Sequence, residues 1–401
     1  MPQLDYSAKL LDMEDIELKD VINEASHIQL RFRMQLRAHE CPVCHALTRS
    51  VHDYRLQTAK DIPFQGKPVF WLYEKRRYRC TSCGKRFYEN NYLLPKFHRI
   101  TNRLAMLCLN ELQSKCSRKD IAQRLNISQS TVARWMQLVD YGRPPKLPKV
   151  LSIDEFRGNA GGSKFQCILT SPRDKSIVDI LPDRTSAHIL DYLKAFSNRD
   201  SVIYMVMDMN KEYLKIAQTL FRNATVVIDR FHVVRYSTWA LENVRKRVQK
   251  ALLPEQRKYF KRSRRLLLSH MQNLSDDNKQ AVEHMLLFSR DLREAYLLKE
   301  AFYSFMASAD SIEAKLRLRQ FRMYAFTADI PEFNACLTML KNWEPYILNA
   351  FDCPYSNGFT EGVNNTIKVM KRVAYGYRSF DNFRRRILMT LNANRVPVTN
   401  S

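Results

Sequence analysis

The spacing of apolar and polar residues changes along the chain and predicts several kinds of structure. In the amino-terminal part, Ile28-Gln-Leu-Arg-Phe-Arg-Met-Gln-Leu-Arg37 alternates with period two, which predicts a β-strand, and residues 68–79 form another strand-like stretch. Residues 100–140 carry the spacing of short helices. The run Arg143-Pro-Pro-Lys-Leu-Pro-Lys149 then predicts a linker, because proline disfavours helix at its own position and at the one before it.

After this linker the pattern becomes α/β. Three adjacent strand-like runs, followed by alternating helical and strand-like runs, predict a mixed sheet with helices packed on it. We predict strands at 150–156, 164–171, 176–181, 202–208 and 225–229, and helices at 185–197, 211–221, 356–373 and 380–393. From about 231 to 348 the strand signals disappear and the spacing is helical, so we predict an all-α insertion there.

The charge balance indicates a polyanionic partner. The 401 residues include 65 Lys+Arg and 41 Asp+Glu, for a net charge of +24, so nucleic acid is the leading candidate. A membrane is disfavoured, since no apolar run approaches the ~18–20 residues of a membrane helix. The start, Met1-Pro-Gln-Leu-Asp-Tyr, lacks the pattern of a signal peptide. We therefore expect a cytoplasmic, reducing compartment, in which the nine cysteines form no disulfide framework.

Two cysteine pairs predict a structural zinc site. Cys41-Pro-Val-Cys44 and Cys80-Thr-Ser-Cys83 form a C-x2-C…C-x2-C set, and four thiolates around one tetrahedral centre suit Zn²⁺. His45 and His52 are possible substitute ligands, although plain surface histidines are the more common case. The other five cysteines have no paired spacing and are interpreted as buried thiols: Cys108, Cys116, Cys167, Cys336 and Cys353.

Residues 117–136 have the pattern of a helix-turn-helix. Ile121, Ala122 and Leu125 would face inward from the first helix, Asn126-Ile-Ser128 would form the turn, and Ser128 would cap the second helix. Val132, Trp135 and Met136 would then form the core face of that helix. The residues left facing outward are suited to bases and phosphates: Gln129, Ser130, Thr131 and Arg134. A generic helical hairpin would use the same core pattern.

Three carboxylates predict a second metal site. Asp154 lies in the apolar run 150–156, Asp208 ends the run 202–208, and Glu361 lies near the start of a predicted helix. Two strand-borne aspartates and a helix-borne glutamate suit a pair of Mg²⁺ (or Mn²⁺) ions that drive phosphoryl transfer. Each acid also has a plain interpretation, as a strand-end or N-cap aspartate or as a first-turn glutamate favoured by the helix dipole.

The run Asp229-Arg-Phe-His-Val233 follows a short predicted strand and bears on the same site. Asp229 is a rival for Asp208 as the second metal ligand. His232 is a candidate to steady the scissile phosphate or a leaving oxygen, although a lone histidine near a helix start is more often structural.

Two basic clusters suit phosphate contacts. Residues 245–265 hold ten basic residues and one acidic residue, an imbalance greater than a solvated helical face needs. The candidates for phosphate contact in this stretch are Arg245, Lys246, Arg262, Arg264 and Arg265. A second cluster contains Lys368, Lys371, Arg372, Arg378 and the run 384–386, and its main candidates are Lys371 and Arg372.

With these motifs in order, the chain resembles bacterial insertion-sequence transposases of the ISL-three family, nearly from end to end. The resemblance rests on long motifs: Cys-Pro-x-Cys, Asp61-Ile-Pro63, residues 76–89, the helix-turn-helix, Ile153-Asp-Glu155, Met207-Asp-Met209, residues 229–233, Ser356-Asn-Gly-Phe-Thr-Glu-Gly-Val-Asn-Asn365 and residues 371–380. It implies an RNase H-like catalytic domain with a DDE triad, which falls on Asp154, Asp208 and Glu361. It also implies that an all-α insertion interrupts this domain.

The expected fold class is therefore multidomain α/β: a zinc-binding β module and a helix-turn-helix, then an RNase H-like mixed sheet with an all-α insertion. The expected division is a zinc-binding domain at 1–95, the helix-turn-helix at 96–142, a linker at 143–149, catalytic parts at 150–230 and 349–401, and the insertion at 231–348.

The leading functional hypothesis is a DNA transposase. We expect it to act on double-stranded DNA at the bacterial nucleoid, and as at least a homodimer there, because joining needs two ends held together. One rival is a non-catalytic DNA-binding repressor that uses only the zinc and helix-turn-helix modules. The other is an RNase H-like nuclease that cuts without joining strands.

Overall fold

The computed structural model of the chain describes residues 15–92, 94, 98–260, 263–392 and 398–399. The chain divides into two compact units, one of Met1–Gly142 with Lys368–Ser401 and one of Arg143–Ile367. The break after Gly142 falls at the start of the proline-rich run, and the residues from Lys368 onwards group with the amino-terminal unit. The finer domain scheme stays a prediction.

A five-stranded sheet dominates the first unit. The strands of this part of the chain are β1 (Ile16–Asn23), β2 (Ile28–Met34), β3 (His39–Glu40), β4 (Leu47–Thr48), β5 (Val51–Phe64), β6 (Lys67–Arg79) and β7 (Arg86–Tyr88). The sheet has the order β1-β2-β6-β5, with β7 added to β6, while β3 and β4 form a separate antiparallel pair. β2 runs parallel to β6, and the other pairs in the sheet are antiparallel.

The alternation predicted for β2 is confirmed. Ile28, Leu30, Phe32 and Met34 are buried, because every second side chain of a strand points to the same face. The ring of Phe32 stacks on that of Tyr73 with centroids 5.3 Å apart, so aromatic packing contributes to this core.

Three short helices follow in the first unit: α1 (Asn102–Glu111), α2 (Arg118–Arg124) and α3 (Gln129–Leu138), followed by the short strand β8 (Val139–Asp140). The hydroxyls of Thr101, Ser117 and Ser128 cap them by accepting backbone N–H bonds. The sheet is tied to α1 by Asp61, a buried carboxylate that accepts hydrogen bonds from Thr101 Oγ1 at 2.7 Å and from Arg103 Nε at 2.7 Å.

The second unit is built on another five-stranded sheet. Its elements are β9 (Val150–Phe156), β10 (Gln166–Ser171), β11 (Ser176–Leu181), α4 (Ser186–Lys194), β12 (Tyr204–Met207), α5 (Lys211–Leu220) and β13 (Thr225–Ile228). The strand order is β11-β10-β9-β12-β13, with β9 to β11 antiparallel and β12 parallel to both of its neighbours. All five predicted strands are present, so the mixed sheet is confirmed.

Three of these strands are shorter than predicted. β10 begins at Gln166 rather than at residue 164, and the other two are shorter for local reasons. The run 202–208 becomes a strand only at Tyr204, because a 3₁₀ turn at Arg199–Ser201 precedes it. The run 225–229 ends at Ile228, because Asp229 caps the next helix by accepting a hydrogen bond from the N–H of Phe231.

The described part of residues 231–348 is helical, as predicted. The helices are α6 (Arg230–Ala251), α7 (Pro254–Arg257), α8 (Ser263–Leu268), α9 (Asp276–Leu287), α10 (Arg290–Met306), α11 (Ser311–Ala328) and α12 (Asn334–Asp352). Their buried residues, among them Leu241, Phe302 and Phe321, belong to the same apolar core as Ile153 and Met207 of the sheet. These helices therefore share one apolar core with the sheet of this unit.

The chain closes with α13 (Gly358–Val373), α14 (Phe380–Leu391) and the short strand β14 (Val398–Thr399), which pairs with β8. In the first unit, the buried guanidinium of Arg386 donates hydrogen bonds to the backbone carbonyls of Ser114 and Cys116. Across the described residues, no helix combines the length and the apolar character needed to cross a membrane.

Candidate metal centres and nucleic-acid interface

A row of aspartates lies at one edge of the second sheet. β12 pairs in parallel with β9 and β13, and Met207 is aligned with Ile153 on one side and Ile228 on the other. The residue that follows each of these three is an aspartate: Asp154, Asp208 and Asp229. Because the aligned strands run in the same direction, they deliver the three carboxylates to the same edge of the sheet.

Asp208, Asp229 and His232 form a compact group. Nε2 of His232 lies 3.1 Å from Oδ2 of Asp208 and 4.0 Å from Oδ2 of Asp229. One ligand atom from each residue lies within 4.8 Å of the other two. Oδ1 of Asp208 and Oδ2 of Asp229 are buried without a hydrogen-bond partner in the described part of the chain. Buried carboxylate oxygens without donors are costly, so this arrangement fits a hard divalent cation.

The electrostatics of the row also fit a cation. Burial raises the pKa of Asp154 to about 7, and the charge of Asp208 adds to the effect. Burial likewise raises the pKa of Asp208 to about 7, and the charges of Asp229, Glu155 and Glu361 add to it. The pKa of Asp229 is raised by burial as well. Crowded carboxylates of this kind become fully ionised at neutral pH when a cation compensates their charge.

Helix α13 brings Glu361 to this edge through a polar face packed on the sheet. Asn357 Oδ1 accepts a hydrogen bond from Ser152 Oγ at 2.5 Å, and Thr360 Oγ1 lies 2.7 Å from Thr170 Oγ1. One turn further on, Asn364 Nδ2 donates to Asp154 Oδ2 at 2.8 Å.

These positioning residues were missed by the sequence reasoning, which singled out only Glu361. A signal was present, because Asn357, Thr360 and Asn364 recur at three- and four-residue spacing, as one face of a helix requires. Their partner Ser152 is a small polar residue inside an apolar strand, and this is the second half of the same signal.

The predicted acids are therefore neighbours, but they are not equivalent. Asp208 lies in the tight group with Asp229 and His232, whereas Asp154 is held by Asn364 and by the N–H of Glu155. Glu361 is close enough for its charge to act on Asp208. The triad stays a prediction, and Asp229 remains the rival of Asp208 as second ligand.

The four cysteines of the first unit converge on one point. Sγ of Cys41 lies 3.6 Å from Sγ of Cys83, and Sγ of Cys44 lies 3.5 Å from Sγ of Cys80. Ligands bound at ~2.3 Å around a tetrahedral zinc ion are about 3.8 Å apart, so the cluster fits Zn²⁺. A hydrogen bond from the N–H of Cys83 lowers the pKa of Cys80 to about 6, which favours the thiolate form that binds metal.

The histidines near the zinc cluster are not part of it, and four of the five unpaired cysteines are buried. The cluster of four sulfurs includes neither His45 nor His52, and His45 instead pairs with Glu40. Cys108, Cys167, Cys336 and Cys353 are buried as predicted. Cys116 is only half-buried, so that prediction was wrong; its backbone carbonyl is engaged by Arg386.

The candidate DNA-reading residues lie on α3 as the pattern predicts. Val132 and Met136 are buried, while Trp135 is only partly buried. Gln129, Ser130 and Arg134 are exposed and Thr131 is half-exposed. The preceding turn passes through Asn126 with a φ of 53°, a left-handed conformation that asparagine tolerates. The geometry presents a polar helix face at the surface of the first unit.

The first basic cluster is partly neutralised by acids outside it. Arg245 donates to both carboxylate oxygens of Glu242, and Lys246 and Arg264 lie 3.8 Å and 3.9 Å from the same carboxylate. Arg264 and Arg265 are exposed, whereas Arg245 is mostly buried. Arg262 lies outside the described residues. In the second cluster, Lys371 and Arg372 form the basic last turn of α13.

Comparisons with known proteins identify a transposase family and a zinc finger in this chain. Residues 151–387 match the profile of a family described as transposase, the ISL3 group, and residues 37–83 match the zinc-finger of transposase IS204/IS1001/IS1096/IS1165. The chain is 27% identical over 355 residues to the transposase for insertion sequence element IS1001 of Bordetella parapertussis, covering 86% of each protein. It is 33% identical over 141 residues to a Lactococcus lactis subsp. lactis protein named ATP-dependent protease, covering 34% of this chain and 41% of that one.

Proposed function

The chain belongs to the ISL3 family of transposases, and from this premise we propose that it binds the terminal inverted repeats of an insertion sequence, cleaves the element's ends and joins them to target DNA. The row Asp154, Asp208 and Asp229, in one register across three parallel strands, carries the proposal. The strand order around this row is consistent with an RNase H-like catalytic domain.

The residues of the row have distinct roles in this proposal. Asp154, Asp208 and Glu361 would hold Mg²⁺ or Mn²⁺, with Asp229 as the alternative to Asp208. Bound ions would supply activation of the attacking oxygen and stabilisation of the leaving oxygen. His232, whose Nε2 lies 3.1 Å from Asp208, would steady the scissile phosphate or the leaving oxygen. Asn364 would keep Asp154 in place through its 2.8 Å hydrogen bond.

The proposed reaction uses this site twice. In the first step, water attacks the phosphate at the element's end, the phosphorus–O3′ bond breaks, and a 3′-hydroxyl is released. In the second step, that hydroxyl attacks a target phosphate in line, so a new phosphodiester bond forms while the target strand is cut. Joining needs two ends, which is why we expect at least a dimer on DNA.

Residues of both units would contact the DNA. The exposed residues of α3, in the first unit, would read base edges. Phosphates would be contacted by Lys371 and Arg372 of the first unit and by Lys246, Arg264 and Arg265 of the second. Replacing Arg134 by Ala should relax discrimination between end and random DNA, by about 1–3 kcal/mol for a bidentate base contact. Replacing Arg264 and Arg265 by Glu should instead weaken binding to all sequences and flatten its salt dependence.

We also expect the protein to act in the bacterial cytoplasm, at the nucleoid, where its DNA substrates lie. The zinc site would be structural and would hold the amino-terminal module together. The share of the chain that matches the protein named protease is too small to support a second function.

Binding and cutting of an uncut end test the proposal against the repressor alternative. Purified protein with Mg²⁺ should bind a duplex carrying the element's inverted repeat and release a 3′-hydroxyl at its end. Asp154→Asn should bind this duplex equally well and leave it intact. Specific binding by the wild-type chain without cleavage in Mg²⁺ or Mn²⁺ would favour the repressor.

A further inference from the structure

The first turns of α6 present aromatic side chains to solvent. Phe231, Arg235 and Trp239 recur every four residues and therefore share one face of the helix. Phe231 is 55% exposed and Trp239 is 50% exposed. The guanidinium carbon of Arg235 lies 4.6 Å from the ring centroid of Trp239 and 5.9 Å from that of Phe231. Large exposed rings on one helix face are uncommon unless they bind something.

Two residues of this face, Arg235 and Trp239, line a cavity that Asp208 and Glu155 also line. The cavity measures about 400 Å³, a volume typical of small-molecule sites. Asp208 and His232 form part of its wall, and Arg235, Tyr236, Trp239 and Lys211 line it as well. The ring of Tyr236 lies 5.7 Å from that of Trp239, so two aromatic rings meet in it. A molecule bound at the acids can therefore reach these rings.

We propose that this cavity takes one unstacked nucleobase of the DNA end, held against Trp239 while the neighbouring phosphate lies at the acids. The inference rests on the proposed function and adds to it a site for the base beside the cleavage point. Every nucleobase has a flat π face, so stacking on an aromatic ring works for any sequence. Arg235 braces the indole ring, and Lys211 supplies a second cation for the phosphate backbone.

The chemistry of the lining favours a nucleotide over an apolar protein segment. A docking surface for apolar side chains would leave Arg235, Lys211 and the acids facing the interface without compensation. A nucleotide suits the rings, the basic side chains and the acids of this cavity. Its base stacks on a ring, its phosphate attracts the basic side chains, and a divalent cation can bridge that phosphate to the carboxylates. Asp154 is buried and Asp208 is partly buried, which gives a reason for unstacking, because a phosphate held at a recessed site is reached more easily when its base leaves the duplex.

Photocrosslinking can detect a base bound in this cavity, and it does not require cleavage. A duplex carrying the inverted repeat receives 5-iodouracil at one position beside the cleavage point at a time, and the Glu361→Gln chain binds it without cutting. We expect a crosslink to Trp239 or Tyr236 from one of these positions, identified by mass spectrometry. Crosslinks from all of them to other parts of the chain would overturn the proposal.

Cleavage rates of Trp239 variants provide a second test of the base site. Trp239→Ala should cut a fully paired end at least about fivefold more slowly, and Trp239→Phe should keep most of the rate because a ring remains. An abasic nucleotide at the crosslinked position should restore the rate of Trp239→Ala, since no base then needs to be held. Leu287→Ala removes an exposed apolar side chain from α9 and serves as the matched control.

The outcomes separate this inference from the proposed function. If the wild-type chain crosslinks through Trp239 but never cuts, the base site is supported and the proposed reaction is rejected. Normal cutting by Trp239→Ala, or no rescue by the abasic end, rejects the base site and leaves the transposase intact. A Trp239→Ala chain that changes its oligomeric state without DNA would identify the aromatic face as a protein interface and would also reject the proposal.

Discussion

At the scale of single residues, the roles of neighbouring aspartates are set by small differences in their surroundings. Asp154 is held by two hydrogen-bond donors, while Asp208 and Asp229 each keep one buried oxygen without a donor. The oxygens without donors are the ones that a cation would satisfy. Asp229 also caps α6, so it has a structural task that Asp208 lacks: the helix that follows Asp208 is capped by Asn210.

Substitution of the two rivals should separate these tasks. Asp208→Asn should lower end cleavage at least about a hundredfold, because it removes a cation ligand. It should not lower the melting temperature of the metal-free chain, because burial and neighbouring charges disfavour the carboxylate that it removes. Asp229→Asn should cut faster than Asp208→Asn, since asparagine can still cap the helix. Asp191→Asn on α4 is the exposed control. If Asp229→Asn is the inactive variant and Asp208→Asn cuts normally, the second ligand is Asp229.

The raised pKa values predict how pH and Mg²⁺ interact. Asp154 and Asp208 titrate near 7 in the folded chain, whereas an unfolded aspartate titrates near ~3.9. Between these values the folded chain binds more protons, so without metal its stability falls as pH rises. Mg²⁺ competes with those protons and should raise the melting temperature more at about pH 8 than at about pH 5. An equal Mg²⁺ effect at both values, or the same effect in Asp208→Asn, would contradict this.

At the scale of elements, the four-cysteine cluster should make the first unit depend on zinc. The short pair β3 and β4 and the turn before β7 bring little apolar surface of their own, so the metal replaces a core. Cys80→Ser should lose bound zinc and lower the melting temperature. Cys116→Ser changes a half-buried thiol outside the cluster and should keep one zinc per chain by metal analysis. Purified wild-type chain without zinc would exclude the assignment.

Helix α11 has two apolar faces. Ala314, Leu318, Phe321 and Ala325 are buried against the insertion, and the opposite face carries the exposed side chains Ile312, Leu316, Met323 and Phe326. An exposed row of this length is typical of an interface. We expect it to contact a second copy of the chain, because joining needs two ends held together.

Charge placed in that row tests the dimer. Leu316→Glu with Met323→Glu should shift the mass of the end-bound complex towards one copy by light scattering and should reduce joining more than single-end binding. The control Leu287→Glu places the same charge at an exposed leucine on α9. A complex of unchanged mass would assign dimer contacts to another surface.

At the scale of the whole molecule, a feature could be predicted from the sequence when its residues lie close together along the chain. Alternation along β2 and the apolar runs of β9 and β12 were readable because a strand's burial pattern is local. The cysteine spacing was readable because each pair spans a single turn. The contact of Asn364 with Asp154 joins residues 210 positions apart, and no local pattern assigns that partner.

The net charge of the basic stretch 245–265 was also not predictable from the local sequence. Counted along the chain, residues 245–265 hold one acid, yet Glu242 lies against Arg245, and Arg247 pairs with Asp291 and Glu332. Tertiary contacts therefore reduce the charge that a local count assigns to DNA. The net charge of +24 is unaffected, because it sums over the whole chain.

The measurement that tests the central claim most directly is strand transfer from a pre-cut end. Purified protein, Mg²⁺, end DNA with a free 3′-hydroxyl and a supercoiled target plasmid should yield plasmid covalently joined to the end. Glu361→Gln should bind the end as the wild-type chain does and yield no joined product. Cleavage of uncut ends by the wild-type chain, with no joining in Mg²⁺ or Mn²⁺, would contradict the account and identify a nuclease.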